Sequence, residues 1–282
     1  FHTGKTDFVN HKMIFLQGSP VLDKSKAIPT GRLSGIVANY VPAYLQKNRL
    51  PSFETNCIED WEHKVDQIVK ETEKESMGLI SGIPSWVQMY YERLVQKHGK
   101  SVGELFPNFT LFVFGGVNFE PYRQRFLQLV GRPIDSIETY PASEGFIAFQ
   151  DLPNSDGLLL NCNAGIFFEF IPVAEIDAPN PTRLCLAEVK LDENYAIILS
   201  TNAGLWAYNI GDTVKFVSLN PFRIKVTGRI KHFTSAFGEH VIGEEVDYAM
   251  QKAISESDAV VTEFTLAPQI TPDHGLPYHE WF

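Results

Sequence analysis

The chain has 282 residues, of which 44% are hydrophobic and 21% charged, and its formal net charge is −10. That length and apolar content suffice for one large domain or two ordinary ones. The acidic balance argues against a general nucleic-acid or anionic-membrane surface, and no apolar run reaches the length of a transmembrane helix.

Compartment is indicated by the cysteines and the N-terminus. The three cysteines are scattered without metal-ligand spacing, at Cys57, Cys162 and Cys185, and the first residues lack the apolar core of a signal peptide. We therefore expect a cytoplasmic protein. Because the sequence begins without Met and ends at HEWF, we also expect it to be part of a longer protein.

Helical periodicity is clearest in the first third of the chain. From Ile58 to about Glu75, apolar residues recur on one face, and acidic residues crowd the first turn, where the helix dipole favours them. A second helix is predicted over residues 82–99, GIPSWVQMYYERLVQKHG. Pro84 suits its first turn and Gly99 its C-terminus.

A change of period follows this helix. LFVFGG reads as a buried strand, FEPYRQRFLQLVG as a helix and IDSIETY as a second strand, which together predict a parallel crossover unit. Ligands bind at the ends of such strands. The Gly115-Gly116 pair and the PASEG turn at residues 141–145 occupy two such positions. Taken alone, Ser143 and Glu144 are more typical of a polar turn.

The second half of the chain is rich in predicted strands. From about residue 157, short apolar runs alternate with turn-forming residues, which indicates a barrel-like or mixed β subdomain. A helix at roughly Gly243 to Ser255 and the strand VVTEFTLAP then indicate the start of a small α+β domain. We expect a large domain at residues 1–222 and a partial, mobile C-terminal domain at residues 223–282.

Four short motifs occur in a fixed order: GGVNFEPY, YPASEG, LWAYNIGD and GRIKHFTSAFGEHV. Their order and spacing resemble the adenylate-forming superfamily of luciferases, acyl-CoA ligases and amino-acid adenylating domains. The text around them, including IFLQGSP, IPTGRLSGI and TNAGLW, is similar to the bacterial branch of the Gretchen Hagen family of auxin-responsive acyl-acid amido synthetases. The resemblance covers essentially the whole chain. It implies an α/β fold with an adenylate-forming-enzyme-like large domain and a partial small α+β domain.

The resemblance also implies a carbon-nitrogen ligase that uses ATP and Mg²⁺. A small carboxylic acid attacks the α-phosphate, pyrophosphate leaves, and the amine of an amino acid takes the acyl group. Negative charge builds on phosphorus oxygens, so the site needs a cation and hydrogen-bond donors. By the resemblance, Glu144 would help hold Mg²⁺, Ser143 would donate to the α-phosphate or the reacting carboxylate, and Tyr140 would pack along the adenine.

Further roles follow from the same resemblance. Asp212 would accept hydrogen bonds from the ribose hydroxyls, Arg229 would contact ribose oxygens, and Lys231 falls where the superfamily pivots its C-terminal domain. Each has a plain alternative: Asp212 as a β-turn residue, and the two cations as solvated charges at a strand end. Gly115 and Gly116 would let the backbone approach a flat ring, although a simple strand-to-helix turn explains them equally.

The implied acyl pocket is assigned to Trp86, Tyr90 and Val117. Trp86 and Tyr90 lie one helical turn apart, and an aromatic pair at that spacing belongs more often to a core. The sequence gives no indication of the acid, the amine or the oligomeric state.

One departure from the superfamily keeps other functions open. The Ser/Thr/Gly-rich phosphate loop is absent from this sequence, and GKTD at residues 4–7 is too short to replace it. A piece without that loop could be inactive alone. The alternatives are a thioester-forming ligase that uses coenzyme A and a non-catalytic nucleotide-binding remnant.

Overall fold

A computed structural model describes residues 7–282 except positions 24, 26, 32, 39, 154, 231–242, 258, 259 and 270–277. The chain forms two compact units, Phe1–Glu138 and Thr139–Phe282. The division expected from the sequence, with its boundary between residues 222 and 223, is a different one. The expected division separates a mobile C-terminal domain from the large domain, and it stays a prediction.

The first unit alternates helices with a parallel sheet. Its strands lie in the order β2-β1-β3-β4, with β5 next to β4, and the β1-β2, β1-β3 and β3-β4 pairs are parallel. The strands are β1 (Lys12–Phe15), β2 (Arg49–Leu50), β3 (Met77–Ser81), β4 (Leu111–Gly115) and β5 (Asp135–Ala142). The helices are α1 (Leu33–Ala38), α2 (Ala43–Gln46), α3 (Phe53–Asn56), α4 (Trp61–Thr72), α5 (Pro84–His98), α6 (Val102–Leu105) and α7 (Glu120–Val130).

Local sequence explains where α4 and α5 begin and end. α5 starts with Pro84 at its first position and ends at Gly99, which adopts a left-handed conformation with φ +63°, and both features agree with the prediction. α4 begins later than expected. The Asp60 side chain accepts a 2.8 Å hydrogen bond from the His63 amide and so caps the helix, which leaves Ile58 outside it.

An aromatic cluster forms part of the core of the first unit. Phe112 on β4 packs against Phe126 of α7, with ring centroids 5.0 Å apart, and against Phe119 at 5.2 Å. Tyr91 of α5 adds an edge-on contact to Phe126 at 5.3 Å. These contacts hold α5 and α7 together over β4, so the strand-helix-strand segment predicted from the sequence has a shared core.

The second unit is an antiparallel sheet in the order β5-β6-β7-β11-β10-β9-β8. Its further strands are β6 (Gly145–Phe149), β7 (Leu158–Leu160), β8 (Ile166–Pro172), β9 (Asn194–Thr201), β10 (Tyr208–Leu219) and β11 (Phe222–Arg229). The sheet curves around an apolar core. Ile166, at the start of β8, packs so closely over Gly145 that an added Cβ would lie 2.7 Å from its Cδ1. The barrel-like interpretation agrees with this contact.

The C-terminal part of the second unit follows β11. Helix α8 (Gly243–Ser255) has the predicted bounds, and Glu244 at its start pairs with Lys215 of β10 at 2.8 Å. β12 (Leu266–Gln269) pairs antiparallel with β13 (Tyr278–Trp281), so the strand predicted in VVTEFTLAP is shorter than its apolar text. None of the described helices has the length and apolar character needed to cross a bilayer.

Two ion pairs attach the segment between β6 and β7 to β11. Arg223 is buried and makes a two-pronged contact with Asp151, Nη1 to Oδ1 at 2.5 Å and Nη2 to Oδ2 at 2.9 Å. Two residues further along β11, Lys225 pairs with Asp156 at 2.5 Å, but that carboxylate is 73% exposed. The first pair is therefore shielded from water and the second is not.

Candidate functional site

The Ser143-Glu144 pair forms the two-residue turn of a tight hairpin. Ala142 at the end of β5 pairs with Gly145 at the start of β6, and the two residues between them make the turn. Ser143 is exposed and Glu144 is partly exposed. The chain thus runs from β5 directly into an antiparallel partner. The turn does not lead into a helix, as the strand end of an open parallel α/β sheet would.

Asp212 lies at the centre of a polar cluster. The residue is 6% exposed, and its carboxylate accepts hydrogen bonds at both oxygens. The Tyr140 hydroxyl donates to Oδ2 at 2.6 Å, and Arg229 Nε donates to Oδ1 at 2.6 Å. The cluster therefore joins β5, β10 and β11 at one place within the second unit.

The backbone of β10 explains why Asp212 points into this cluster. The pairing of β10 with β9 shifts register between Asn209 and Thr213, and Gly211 in this bulge has φ +84°, a conformation that favours glycine. On the other side, Asp212 is the direct cross-strand partner of Arg229. The Gly-Asp order in the YNIGD motif therefore has two structural reasons. The bulge favours glycine at position 211, and the cluster uses the carboxylate at position 212.

Electrostatics link Glu144 to the same cluster. Burial raises the pKa of the Tyr140 phenol well above its ordinary value, and the neighbouring Asp212 carboxylate raises it further. Arg229 acts in the opposite direction, and Glu144 adds a smaller repulsive contribution. Tyr140 therefore stays a protonated donor at physiological pH. Three of the predicted residues, Glu144, Asp212 and Arg229, thus lie within electrostatic range of the Tyr140 phenol.

The glycine pair and Val117 lie in the first unit, at the carboxyl end of β4. Gly115 is the last residue of the strand, and Gly116 has φ +87° with no atom within 4 Å of the position of a Cβ. Val117 is 41% exposed. The left-handed backbone conformation favours glycine at position 116, and a plain turn explains it as well as a ligand site does.

The two predicted aromatic residues of α5 differ in their surroundings. Trp86 is partly buried and packs on Trp61 of α4, with ring centroids 4.5 Å apart. Tyr90 has no exposed surface, and its hydroxyl forms a 2.7 Å hydrogen bond with Thr72. Tyr90 is thus a core residue, as an aromatic pair at this spacing usually is. Its assignment to an acyl pocket stays a prediction, and its complete burial does not favour that role. Helical periodicity places Trp61 on the apolar face of α4, but nothing local in the sequence pairs it with Trp86.

Two further points concern the cations and the metal. Lys231 lies outside the described residues. Among the described residues, no group of three or more His, Cys, Asp or Glu side chains could together hold a metal ion. A single carboxylate such as Glu144 still fits Mg²⁺, which proteins often hold through one or two carboxylates while phosphates and water supply the other ligands.

Comparison with known proteins agrees with the motifs. A family model described as the GH3 family central domain matches residues 159–229. The jasmonoyl-L-amino acid synthetase JAR4 of Nicotiana attenuata is 38% identical over 122 residues, which cover 40% of this chain and 21% of that protein. The matched segment of the chain thus spans about a fifth of the length of this curated relative.

Solved structures resemble the chain over nearly its whole length. The GH3.15 acyl acid amido synthetase superposes with a TM-score of 0.75 at 12% identity and covers 98% of this chain and 59% of its own. A 2-hydroxyisobutyryl-CoA ligase in the postadenylation state, in complex with R3-HIB-AMP, has a TM-score of 0.63 at 12% identity over 94% of this chain and 52% of its own. These superpositions confirm the predicted fold class, a mixed α/β chain with the fold of adenylate-forming enzymes.

The sequence matches, to the GH3 family central domain and to jasmonoyl-L-amino acid synthetases, agree with the resemblance that the motifs indicate. The region matched by the family model includes Asp212 and Arg229, two of the three members of the polar cluster. The third, Tyr140, precedes that region. The bacterial branch is not tested by these matches and stays a prediction.

Proposed function

We propose that the chain is the nucleotide- and acyl-binding part of an acyl-acid amido synthetase. Such an enzyme activates a small carboxylic acid with ATP and Mg²⁺ and transfers the acyl group to the amine of an amino acid. The observation that carries the proposal is the Asp212 carboxylate, whose side chain is 9% exposed and is held between a phenol and a guanidinium. It lies inside the region similar to the GH3 central domain.

The cluster has unused hydrogen-bonding capacity of the kind that a ribose requires. A carboxylate offers about four lone-pair sites, and Tyr140 and Arg229 use one on each oxygen of Asp212. The remaining sites can accept the two ribose hydroxyls. Arg229 has a side chain that is 58% exposed, so its terminal nitrogens can donate to ribose oxygens while Nε stays on the carboxylate.

The hairpin turn supplies the groups assigned to the phosphate. Ser143 is exposed, so its hydroxyl is available to donate to the α-phosphate or to the reacting carboxylate. Glu144 would hold Mg²⁺, which when bound neutralises the charge that builds on the phosphorus oxygens. Both residues lie on a turn whose ends are fixed by strand pairing, and this restricts their motion.

The same proposal assigns roles to the remaining residues. Gly115 and Gly116 would let the backbone approach the adenine ring, and Val117 with Trp86 would line the acyl pocket. Lys231 would mark the pivot of a mobile C-terminal domain at residues 223–282. We place the protein in the cytoplasm because its cysteines are unpaired. We place it in the bacterial branch of the family because of the sequence segments around the four motifs.

The proposal gives the two substrates by chemical class. The name of JAR4 describes a jasmonoyl-amino acid synthetase, which supports an acid and an amino acid as the two substrates here. Pocket shape depends on side chains from several segments. The proposal is therefore limited to a small carboxylic acid and an amino acid, with no nucleic-acid or membrane partner.

The proposal is tested by following both half-reactions in the full-length protein. We expect ATP-pyrophosphate exchange that depends on an added acid from a panel of small carboxylic acids. With amino acids and coenzyme A both present, mass spectrometry should then find an amide. A thioester as the main product would identify an acyl-CoA ligase instead. Failure of every acid to support exchange would favour a non-catalytic remnant.

A further inference from the structure

The hydroxyl of Tyr140 donates a hydrogen bond to Asp212, and the proposed packing of the Tyr140 ring along the adenine does not account for this bond. The residue lies on β5 and is 8% exposed, in the core of the second unit. Its hydroxyl donates to Asp212 Oδ2 at 2.6 Å, across 72 residues of sequence. Packing of the ring against a base would require only an aromatic side chain, so the hydroxyl calls for a separate role.

The two donors to Asp212 differ in how firmly they are held. The Arg229 side chain is 58% exposed, and the chain beyond it leads to the predicted pivot. Tyr140 is enclosed by core residues and has two side-chain torsions to fix. A carboxylate held at one oxygen can still rotate about its Cβ-Cγ bond, whereas donors on both oxygens define its plane. The phenol is therefore the fixed reference for that plane.

We propose that Tyr140 is a positioning residue, whose hydroxyl orients the Asp212 carboxylate toward the ribose hydroxyls of the nucleotide. This inference rests on the proposed function, because it assumes that Asp212 accepts from a ribose. Burial and the neighbouring carboxylate raise the pKa of the phenol, so it remains a donor throughout the physiological range. The alternative is that the pair only stabilises the barrel.

The variant Tyr140→Phe separates these roles, because it removes one oxygen and keeps the ring. We expect its affinity for ATP to fall roughly tenfold to a hundredfold, the range for a hydrogen bond to a charged group. For 2′,3′-dideoxy-ATP, which lacks both ribose hydroxyls, the loss should stay below about threefold. Both nucleotides are titrated calorimetrically into the same protein sample, and the ratio of the two affinities is compared. Any unfolded fraction of the sample affects both titrations equally and does not change this ratio.

Tyr195→Phe is the matched control. Tyr195 is fully buried in the same unit, and its hydroxyl donates to Glu193 at 2.8 Å and accepts from the Lys190 amide at 3.0 Å. The substitution removes the same atom from another tyrosine-carboxylate pair outside the cluster. It is expected to lower the melting temperature and to leave the affinities for both nucleotides within about twofold.

A double variant keeps the test decisive if Tyr140→Phe does not fold. Tyr140→Phe combined with Asp212→Ala leaves no buried carboxylate without its donor, which is the main cost of the single change. If Tyr140 acts only through Asp212, the ratio of the affinities for ATP and 2′,3′-dideoxy-ATP should be no smaller in this double variant than in Asp212→Ala alone. A further loss of discrimination in the double variant would overturn the inference.

The outcomes also separate this inference from the proposed function. If the unaltered chain binds ATP, and Tyr140→Phe binds both nucleotides as before or loses both equally, then Tyr140 does not position Asp212. If the unaltered full-length protein does not bind ATP at all, the proposed function itself fails.

Discussion

Replacing Asp212 with alanine is expected to weaken ATP binding by about a hundredfold, or ~2.8 kcal/mol. The change removes the acceptor that lies between Tyr140 and Arg229 and the sites proposed for the ribose hydroxyls. It also leaves a buried phenol without its partner, which adds a desolvation cost. Calorimetric titration of the variant with ATP and Mg²⁺ measures the loss.

Asp156→Ala is the control for this prediction. Asp156 is also an ion-paired aspartate of the second unit, but its carboxylate is 73% exposed and lies on the segment between β6 and β7. We expect its removal to change ATP affinity by less than about twofold. Equal effects of the two substitutions would mean that Asp212 acts only through general charge or stability.

Arg223→Met is expected to lower the free energy of unfolding by about 3 kcal/mol. The guanidinium is 10% exposed and its partner Asp151 is 21% exposed, so removing the cation leaves a largely buried carboxylate without its two-pronged contact. The pair attaches the segment between β6 and β7 to β11. Urea unfolding, with an unchanged slope, gives the loss as a shift of the midpoint.

Lys225→Met provides the comparison on the same strand. Its partner Asp156 is mostly exposed, and water screens such pairs, so a change within about 0.5 kcal/mol is expected. The two variants introduce the same side chain two residues apart. A loss at position 223 no larger than at position 225 would show that the buried pair contributes nothing beyond a surface pair.

The helices were predictable because their signals are local. The apolar stripe of α4, the Pro84 start and Gly99 end of α5, and the bounds of α8 all follow from residues within a few positions of each other. The Asp60 cap made α4 start later than its apolar face predicted, because the Asp60 side chain accepts from the His63 amide and so fixes the start of the helix at Trp61. In the same way, the Ser143-Glu144 pair was predictable as a turn but not as the link between antiparallel strands.

The geometry of the cluster could not have been predicted from local pattern. Tyr140 and Asp212 are 72 residues apart in the sequence. They meet because the sheet, with strand order β5-β6-β7-β11-β10, curves around a common core. The family resemblance implied roles for Tyr140, Asp212 and Arg229 separately. It gave no reason for the phenol to donate to the carboxylate, because that contact depends on the bulge at Gly211 and on the curvature of the sheet.

The central claim is that Asp212 and Glu144 contact the two ends of one bound nucleotide. A crystal structure of the chain with AMP and Mg²⁺ tests it most directly. We predict ribose oxygens about 2.6 to 3.2 Å from the Asp212 carboxylate, with the α-phosphate and the metal at the Ser143-Glu144 turn. A nucleotide bound elsewhere, or one that contacts Asp212 while its phosphate points away from Glu144, would contradict the account.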